Sequence, residues 1–243
     1  MKNKKIDKTP ARLDFIQSAT GLILAIFIMG HLLFEASILI SNEAMYKMTI
    51  FFEGYYFFGE TYPGIISFLA AAISVILVLH ILTAMRKFPA SYKKYKIMRN
   101  HMSTMKHEDT SLWMVQVITG FMMFFTAPVH LYIMMSQPSN IGPYVSSARI
   151  VDEFMGPLYL VLLISVVLHA FVGLYRLAIK WGFMEGKNSE VSRKRFKITM
   201  YVLIAFYLIV GLASLAKYTY IGMTHDFSDG ERYKSKTIIM EKH

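Results

Sequence analysis

Long apolar runs separated by short polar segments set the plan of this chain. The runs cover about 13–38, 63–88, 112–136, 151–181 and 197–219, and 220–243 reads as a polar tail. Each exceeds the ~18 residues that cross a hydrocarbon core ~30 Å thick. Inside a bilayer every backbone polar group must be satisfied within the chain, so apolar runs of this length form helices. The pattern predicts an all-α fold, an integral membrane bundle of five transmembrane helices, with 1–243 as a single domain. Punctuation agrees with it. Pro63 can open the second helix in its first turn, and Pro89 stops it. Pro128 interrupts the third and should bend it, and Pro138 and Pro143 end it. The segment 39–62 carries a dense aromatic patch from Phe51 to Phe58, as expected of a segment lying at the headgroup level. The polar stretch 89–111 reads as a connection.

Two of the runs resemble each other. Leu13–His31 and Leu112–His130 both fit Leu-x-x-x-Gln-x-x-Thr-Gly with a histidine ten residues after the glycine. Gln17, Thr20, Gly21 and His31 answer Gln116, Thr119, Gly120 and His130. The chain therefore reads as an internal duplication.

Composition narrows the chemistry. The 243 residues are 55% hydrophobic and include no cysteine. Disulfides, thiolate metal sites, iron–sulfur clusters and covalent haem attachment on this chain are excluded. The net charge of +10 does not call for nucleic acid, since excess Lys and Arg in a membrane protein sets topology. Basic residues in the flanking segments alternate. There are five in 1–12 (Lys2, Lys4, Lys5, Lys8, Arg12) and one in the next segment (Lys47). Seven follow (Arg86, Lys87, Lys93, Lys94, Lys96, Arg99, Lys106), then one (Arg149), then seven (Arg176, Lys180, Lys187, Arg193, Lys194, Arg195, Lys197). That places the N-terminus and the even loops inside the cell. The tail basics Lys217, Arg232, Lys234, Lys236 and Lys242 fit the rule poorly. The first run is too long for a signal-peptide core and has no small-x-small cleavage site, so it reads as a retained helix.

Four histidines lie inside the runs. At ~1.5 Å per residue, His31 and His130 sit on the outer side of their helices, and His80 and His169 on the inner side. The pairs His31 with His130 and His80 with His169 suit two stacked bis-histidine b haems. A single intramembrane His can instead hydrogen-bond a neighbouring helix, but four paired by depth and linked by a repeat favour ligation. Gly173, one turn after His169, would admit a macrocycle. Lys180 returns to the His169 face and could reach a haem propionate by snorkelling, or serve as a basic anchor. Of the four, only His31 has a carboxylate one turn away, Glu35. His101, His107, His225 and His243 lie in polar segments and read as solvated. Glu53, in the aromatic segment, is either a surface acid at headgroup level or a proton acceptor.

Several motifs resemble a known family. They are Gln-Ser-Ala-Thr-Gly (17–21), Ala-Met-Arg-Lys-Phe-Pro (84–89), Val-His-Leu-Tyr-Ile-Met-Met (129–135), Gln-Pro-x-x-Ile-Gly-Pro (137–143), Pro-Leu-Tyr-Leu-Val-Leu-Leu (157–163) and Gly-Leu-Tyr-Arg-Leu-Ala (173–178). They are similar to the dihaem cytochrome b subunit of quinol:fumarate reductases, in the succinate:quinone oxidoreductase (complex II) superfamily. The similarity covers the first four helices and weakens in the fifth and the tail. It implies a membrane anchor in the bacterial cytoplasmic membrane, bound to a flavoprotein subunit and an iron–sulfur subunit on the cytoplasmic side, in an assembly that can be a dimer of heterotrimers. Dicarboxylate chemistry would occur on the flavoprotein, and this chain would exchange electrons with menaquinol through two b haems. The resemblance carries the haem ligands to His31 and His130 (outer) and to His80 and His169 (inner). It carries propionate contacts to Gln17, Ser18, Trp113, Arg149 and Lys180, and the quinol-site glutamate to Glu53. One departure stands out: the family's transmembrane proton-path glutamate falls at Val167. The alternatives are the cytochrome b of a formate dehydrogenase or hydrogenase, also menaquinone-linked, and a small transporter with structural histidines.

Overall fold

The computed structural model describes residues 7–87, 91–104, 108–183, 188–225, 232, 233 and 235. Phe88 and Pro89, His107, Glu185, Lys187, His243 and the tail lysines Lys234, Lys236 and Lys242 lie outside the described residues. Nine α-helices are present among those described. They are α1 (Thr9–Glu35), α2 (Asn42–Phe52), α3 (Tyr55–Phe58), α4 (Gly64–Met85), α5 (Tyr92–Thr104), α6 (Glu108–Ser136), α7 (Pro143–Val151), α8 (Gly156–Lys180) and α9 (Ser189–Thr224). Five stretches are long and apolar enough to cross a membrane: Thr9–Leu39, Gly64–Met85, Ser111–Ser136, Gly156–Lys180 and Ser189–Thr224. The chain is a multi-pass, all-helical membrane protein.

Helices α1, α4, α6 and α8 close a ring, each packed against the next and α8 back against α1. Asp14 at the start of α1 meets Arg86 at the end of α4 and Lys180 at the end of α8. At the other end, Ser67 Oγ near the start of α4 donates to the Met135 carbonyl at the end of α6 (2.7 Å). The four helices therefore alternate up and down around a common interior. α9 lies outside the ring, against α8 and α7. Large apolar side chains such as Phe68, Leu82, Phe121 and Ile209 face outward and exposed, as lipid-facing positions should.

The boundaries differ from the sequence expectation where polar side chains build helix. The fourth run, expected as one helix over 151–181, forms one helix that begins five residues later, and the loop before it holds the short α7. α7 ends at Val151, and the chain turns through Phe154 at φ 54° before α8 begins at Gly156. Pro157 lies in the first turn of α8, where its missing N–H leaves no hydrogen bond unmade. The fifth helix is longer than 197–219 at both ends. Asn188 caps it, its Oδ1 accepting from Val191 N (3.3 Å). Its far end packs on α7, where a Cβ on Gly222 would fall 2.5 Å from the Ser147 carbonyl oxygen. Residues 220–224 are therefore helix, not tail. Pro63 precedes α4 as its N-cap, α6 stays helical through Pro128, and the polar connection contains α5.

Candidate functional site

The ring encloses a cavity of about 1140 Å³, above the roughly 300–1,000 Å³ typical of a single small-molecule site. All four intramembrane histidines line it, and they meet in two pairs. The ring centres of His31 and His130 are 6.0 Å apart, and those of His80 and His169 are 6.4 Å apart. Metal–imidazole bonds of about 2.0–2.1 Å place two trans rings roughly 6 Å centre to centre. Both spacings leave room for one iron between the rings.

The hydrogen bonds set the tautomers of His80 and His169. Thr20 Oγ1 donates to the carbonyls of Ile16 (2.7 Å) and Gln17 (3.2 Å), which uses its proton. Its lone pair then accepts from His80 Nδ1 at 3.2 Å. The second helix repeats this. Thr119 Oγ1 donates to Val115 O (2.7 Å) and Gln116 O (3.3 Å) and stands 3.3 Å from His169 Nδ1, which also donates to Gln116 O at 2.9 Å. With Nδ1 protonated, Nε2 of each ring carries the free lone pair that a metal needs. The glycines beside these threonines make space: a Cβ on Gly21 would lie 2.9 Å from His80 Cε1, and one on Gly120 would lie 3.0 Å from His169 Cε1. The repeated Thr-Gly pair is thus an imidazole cradle, used twice, and each cradle holds the histidine of the following helix.

At the outer pair, Phe27 stacks on His31 (5.6 Å, 8° between planes) and Tyr159 meets His130 edge-on. His130 Nδ1 is buried without a hydrogen-bond partner, as are Gln17 Oε1 and Arg149 Nε. Of these cavity-lining atoms, the imidazole nitrogen and the guanidinium N–H suit an occupant that carries a metal and an anionic group, while the Gln17 oxygen calls for a donor.

Comparison with known proteins agrees. The family model described as the succinate dehydrogenase/fumarate reductase transmembrane subunit matches residues 92–211. The fumarate reductase cytochrome b subunit of Helicobacter pylori (strain 26695) is 47% identical over 213 residues, covering 88% of this chain and 82% of that protein. The subunit of the same name from Wolinella succinogenes is 45% identical over 220 residues, covering 90% of this chain and 86% of that protein. The chain belongs to the succinate dehydrogenase/fumarate reductase transmembrane subunit family.

Gln17, Ser18, Trp113, Arg149 and Lys180, the propionate candidates carried over from that family, all line the cavity. They divide between its two ends. Arg149 is 2% exposed and lies by the outer histidines, with its Nη2 donating to the Asn140 carbonyl (2.9 Å). Lys180 lies at the inner end, donating to Ser18 Oγ (3.0 Å) and pairing with Asp14 Oδ2 (2.5 Å). Asp14 is a residue the sequence reading missed. It also holds Arg86 (2.8 Å) and Lys87 (2.7 Å), so it orders three cations around the inner mouth. Gly173 has a second use: a Cβ there would fall 2.9 Å from Gln116 Nε2, and Gln116 Oε1 accepts from Arg176 (2.6 Å). Glu35 lines the outer part of the cavity and accepts from Tyr218 OH at 3.0 Å. His225, expected to be solvated, stacks on Tyr144 with ring centres 4.0 Å apart.

Glu53 is not a surface acid. It caps the C-terminus of α2 and is 0% exposed. Its Oε1 accepts from Arg232 (2.5 Å), and its Oε2 is buried without a partner. Thr49 and Phe52, on the preceding turn of α2, line the cavity. The carboxylate therefore sits just behind the outer wall of the cavity. Arg232, on the segment read as a polar tail, gave no sequence signal of this contact.

Proposed function

We propose that this chain is the membrane anchor and dihaem electron-transfer subunit of a menaquinol:fumarate reductase. It would carry electrons between menaquinol near the outer face and an iron–sulfur subunit on the inner face. The observation that carries this reading is the pairing of four histidines across one cavity at spacings that fit bis-imidazole iron. The likeness to fumarate reductase cytochrome b subunits favours it over the cytochrome b of a formate dehydrogenase or hydrogenase, and over a transporter.

In this reading His31 and His130 hold an outer b haem, and His80 and His169 an inner one. Each haem, when bound, supplies a one-electron iron couple. The chain's own residues do the rest. Thr20 and Thr119 fix the tautomers of the inner ligands. Arg149 at the outer end, and Lys180 with Ser18 at the inner end, offer donors to propionates, while Gln17 and Trp113 complete the lining. The apolar walls exclude water. Glu53 accepts a proton when menaquinol is oxidised. The same cradle recurring on α1 and α6 supports an internal duplication, within one domain spanning 1–243. The alternation of basic residues supports an N-terminus on the inside of the membrane, and the likeness to fumarate reductase cytochrome b subunits supports a bacterial cytoplasmic membrane with flavoprotein and iron–sulfur partners on that side, in an assembly that can be a dimer of heterotrimers.

The test is redox-titrated spectroscopy of the purified complex. Two low-spin b components of distinct potential are expected. His31→Ala and His130→Ala should remove one of them, and His80→Ala and His169→Ala the other. Loss of the same component from His31→Ala and His80→Ala would break the pairing.

A further inference from the structure

Arg232, Tyr233 and Ser235 lie against the bundle. Arg232 crosses from the surface to Glu53, with its side chain 21% exposed while that of Glu53 is 0% exposed. Five further contacts fix this segment there. Arg232 Nε donates to the Ile141 carbonyl (2.6 Å), and its guanidinium lies 5.8 Å from the centre of the Tyr46 ring. Tyr233 packs against Tyr46 and Tyr144, with ring centres 5.3 Å apart in both cases. Ser235 Oγ donates to Glu43 Oε1 (2.6 Å). Gly142 makes room for the crossing, since a Cβ there would meet Arg232 Cγ at 3.1 Å and the Arg232 carbonyl oxygen at 3.4 Å.

A carboxylate sealed from water and left alone takes up a proton rather than stay charged. A base that is already protonated cannot accept another proton. Among the described residues, the ionisable groups acting with Glu53 include Arg232 at its Oε1 and Tyr46 on α2, and Tyr46 is flanked in turn by Glu43 and by Tyr55 on α3. Burial raises Tyr46 further above its ordinary value, against the opposing pull of Arg232, so it stays a neutral phenol. Arg232 is the cation among these groups, and it engages one carboxylate oxygen, Oε1. The other, Oε2, keeps its lone pairs.

We propose that the segment bearing Arg232, Tyr233 and Ser235 is a strap that completes the quinol-oxidation site, with Arg232 as the positioning residue that engages Glu53 Oε1 and leaves Oε2 free to receive the quinol proton. The proposal rests on the assignment of Glu53 as proton acceptor. In the step it serves, one hydroquinone O–H bond breaks and an O–H bond forms on Oε2. The two electrons leave through the reductase to fumarate, and the second proton is released to solvent. Once Glu53 is neutral, Arg232 loses its ionic partner, and Glu53 gives its proton to outer water, which restores the ion pair.

The experiment uses the whole complex in detergent with a soluble menaquinol analogue. Arg232→Ala should keep both haem spectra and succinate-to-dye activity. Its quinol-dependent rate should fall at least tenfold on the acid side of neutrality and recover as pH rises, with the acid limb moved up by about 1–3 pH units. Arg232→Lys should fall between the two, and Gly142→Val, which crowds the strap without touching a charge, should shift the limb in the same direction. Infrared spectra at neutral pH should show a protonated-carboxyl band in Arg232→Ala that is absent from wild type and from Arg232→Ala combined with Glu53→Gln. An unmoved limb, or a loss equal at every pH with no such band, overturns the proposal. Retained quinol turnover in Glu53→Gln alone would instead overturn the acceptor assignment, while the infrared band would still report whether Arg232 holds Glu53 ionised.

Discussion

Thr20 Oγ1 lies 3.2 Å from His80 Nδ1, and it accepts there when its own proton goes to the carbonyls of α1. A hydroxyl on one helix thus chooses the tautomer of an imidazole on the next. Thr119 does the same for His169. Loss of such an orienting partner typically costs 10–100-fold in metal affinity. Thr20→Val is expected to weaken retention of the inner haem by about that factor, read as haem lost during dialysis against an apo-globin. Gly21→Val should remove the inner component outright, because even a Cβ meets His80 Cε1 at 2.9 Å. The outer component should persist in both variants.

Asp14 and Lys180 should move the inner potential in opposite directions. Reduction adds negative charge, so removing the Lys180 ammonium disfavours it, and removing the Asp14 carboxylate favours it. Asp14 is 30% exposed and Lys180 35% exposed, so solvent screens both. Interactions of about 0.2–1 kcal/mol correspond to roughly 10–40 mV for one electron. Lys180→Ala is expected to lower the inner potential by that much and Asp14→Asn to raise it, in a redox titration followed at the b-type band. Shifts of the same sign would remove Lys180 from the neighbourhood of the inner haem.

The spans were legible in the sequence because burial in lipid needs nothing beyond apolar length. The depth of each histidine followed from counting residues along a helix. The later start of α8 was legible in principle from Gly156-Pro157, whereas α7 was hidden because Pro143 read as the end of one helix rather than the first turn of another. The cradle could be seen as a repeated motif without its purpose, because periodicity along one helix does not say which residue of a neighbour it meets. Asp14 and Arg232 were hidden for a different reason. Each acts through partners 72 or more positions away in the chain, and such contacts leave no local pattern.

Glu53→Gln should keep both haem components and the succinate-to-dye activity of the partner subunits, because Glu53 touches none of the four histidines. It should lose quinol-dependent turnover, since the amide cannot take the proton that quinol oxidation releases. The loss is expected to be 10²-fold or more, with kcat falling rather than KM rising, measured with a menaquinol analogue. Full quinol turnover in this variant would remove Glu53 from the proton path.

Val167 carries the last expectation. It is 0% exposed, in an apolar core with Leu163, Phe171 and Tyr207. The acids on the five spanning stretches are Asp14, Glu35 and Glu190, all near helix ends. Asp14 and Glu35 are 21 residues apart on α1, about 31 Å along its axis, and no carboxylate bridges them from another helix. If menaquinol is oxidised near the outer face and the electrons cross inward, a proton returning by carboxylates has no middle step. Charge then moves against the membrane potential, at about 2.3 kcal/mol per charge per 100 mV. Fumarate reduction by menaquinol should therefore be slowed in an energised membrane, and succinate oxidation by menaquinone assisted. In sealed proteoliposomes, a potential-sensitive dye is expected to respond during fumarate reduction, and an uncoupler to accelerate it. A silent dye and an indifferent uncoupler would mean that water or propionate groups carry the proton past Val167, and that turnover is electroneutral.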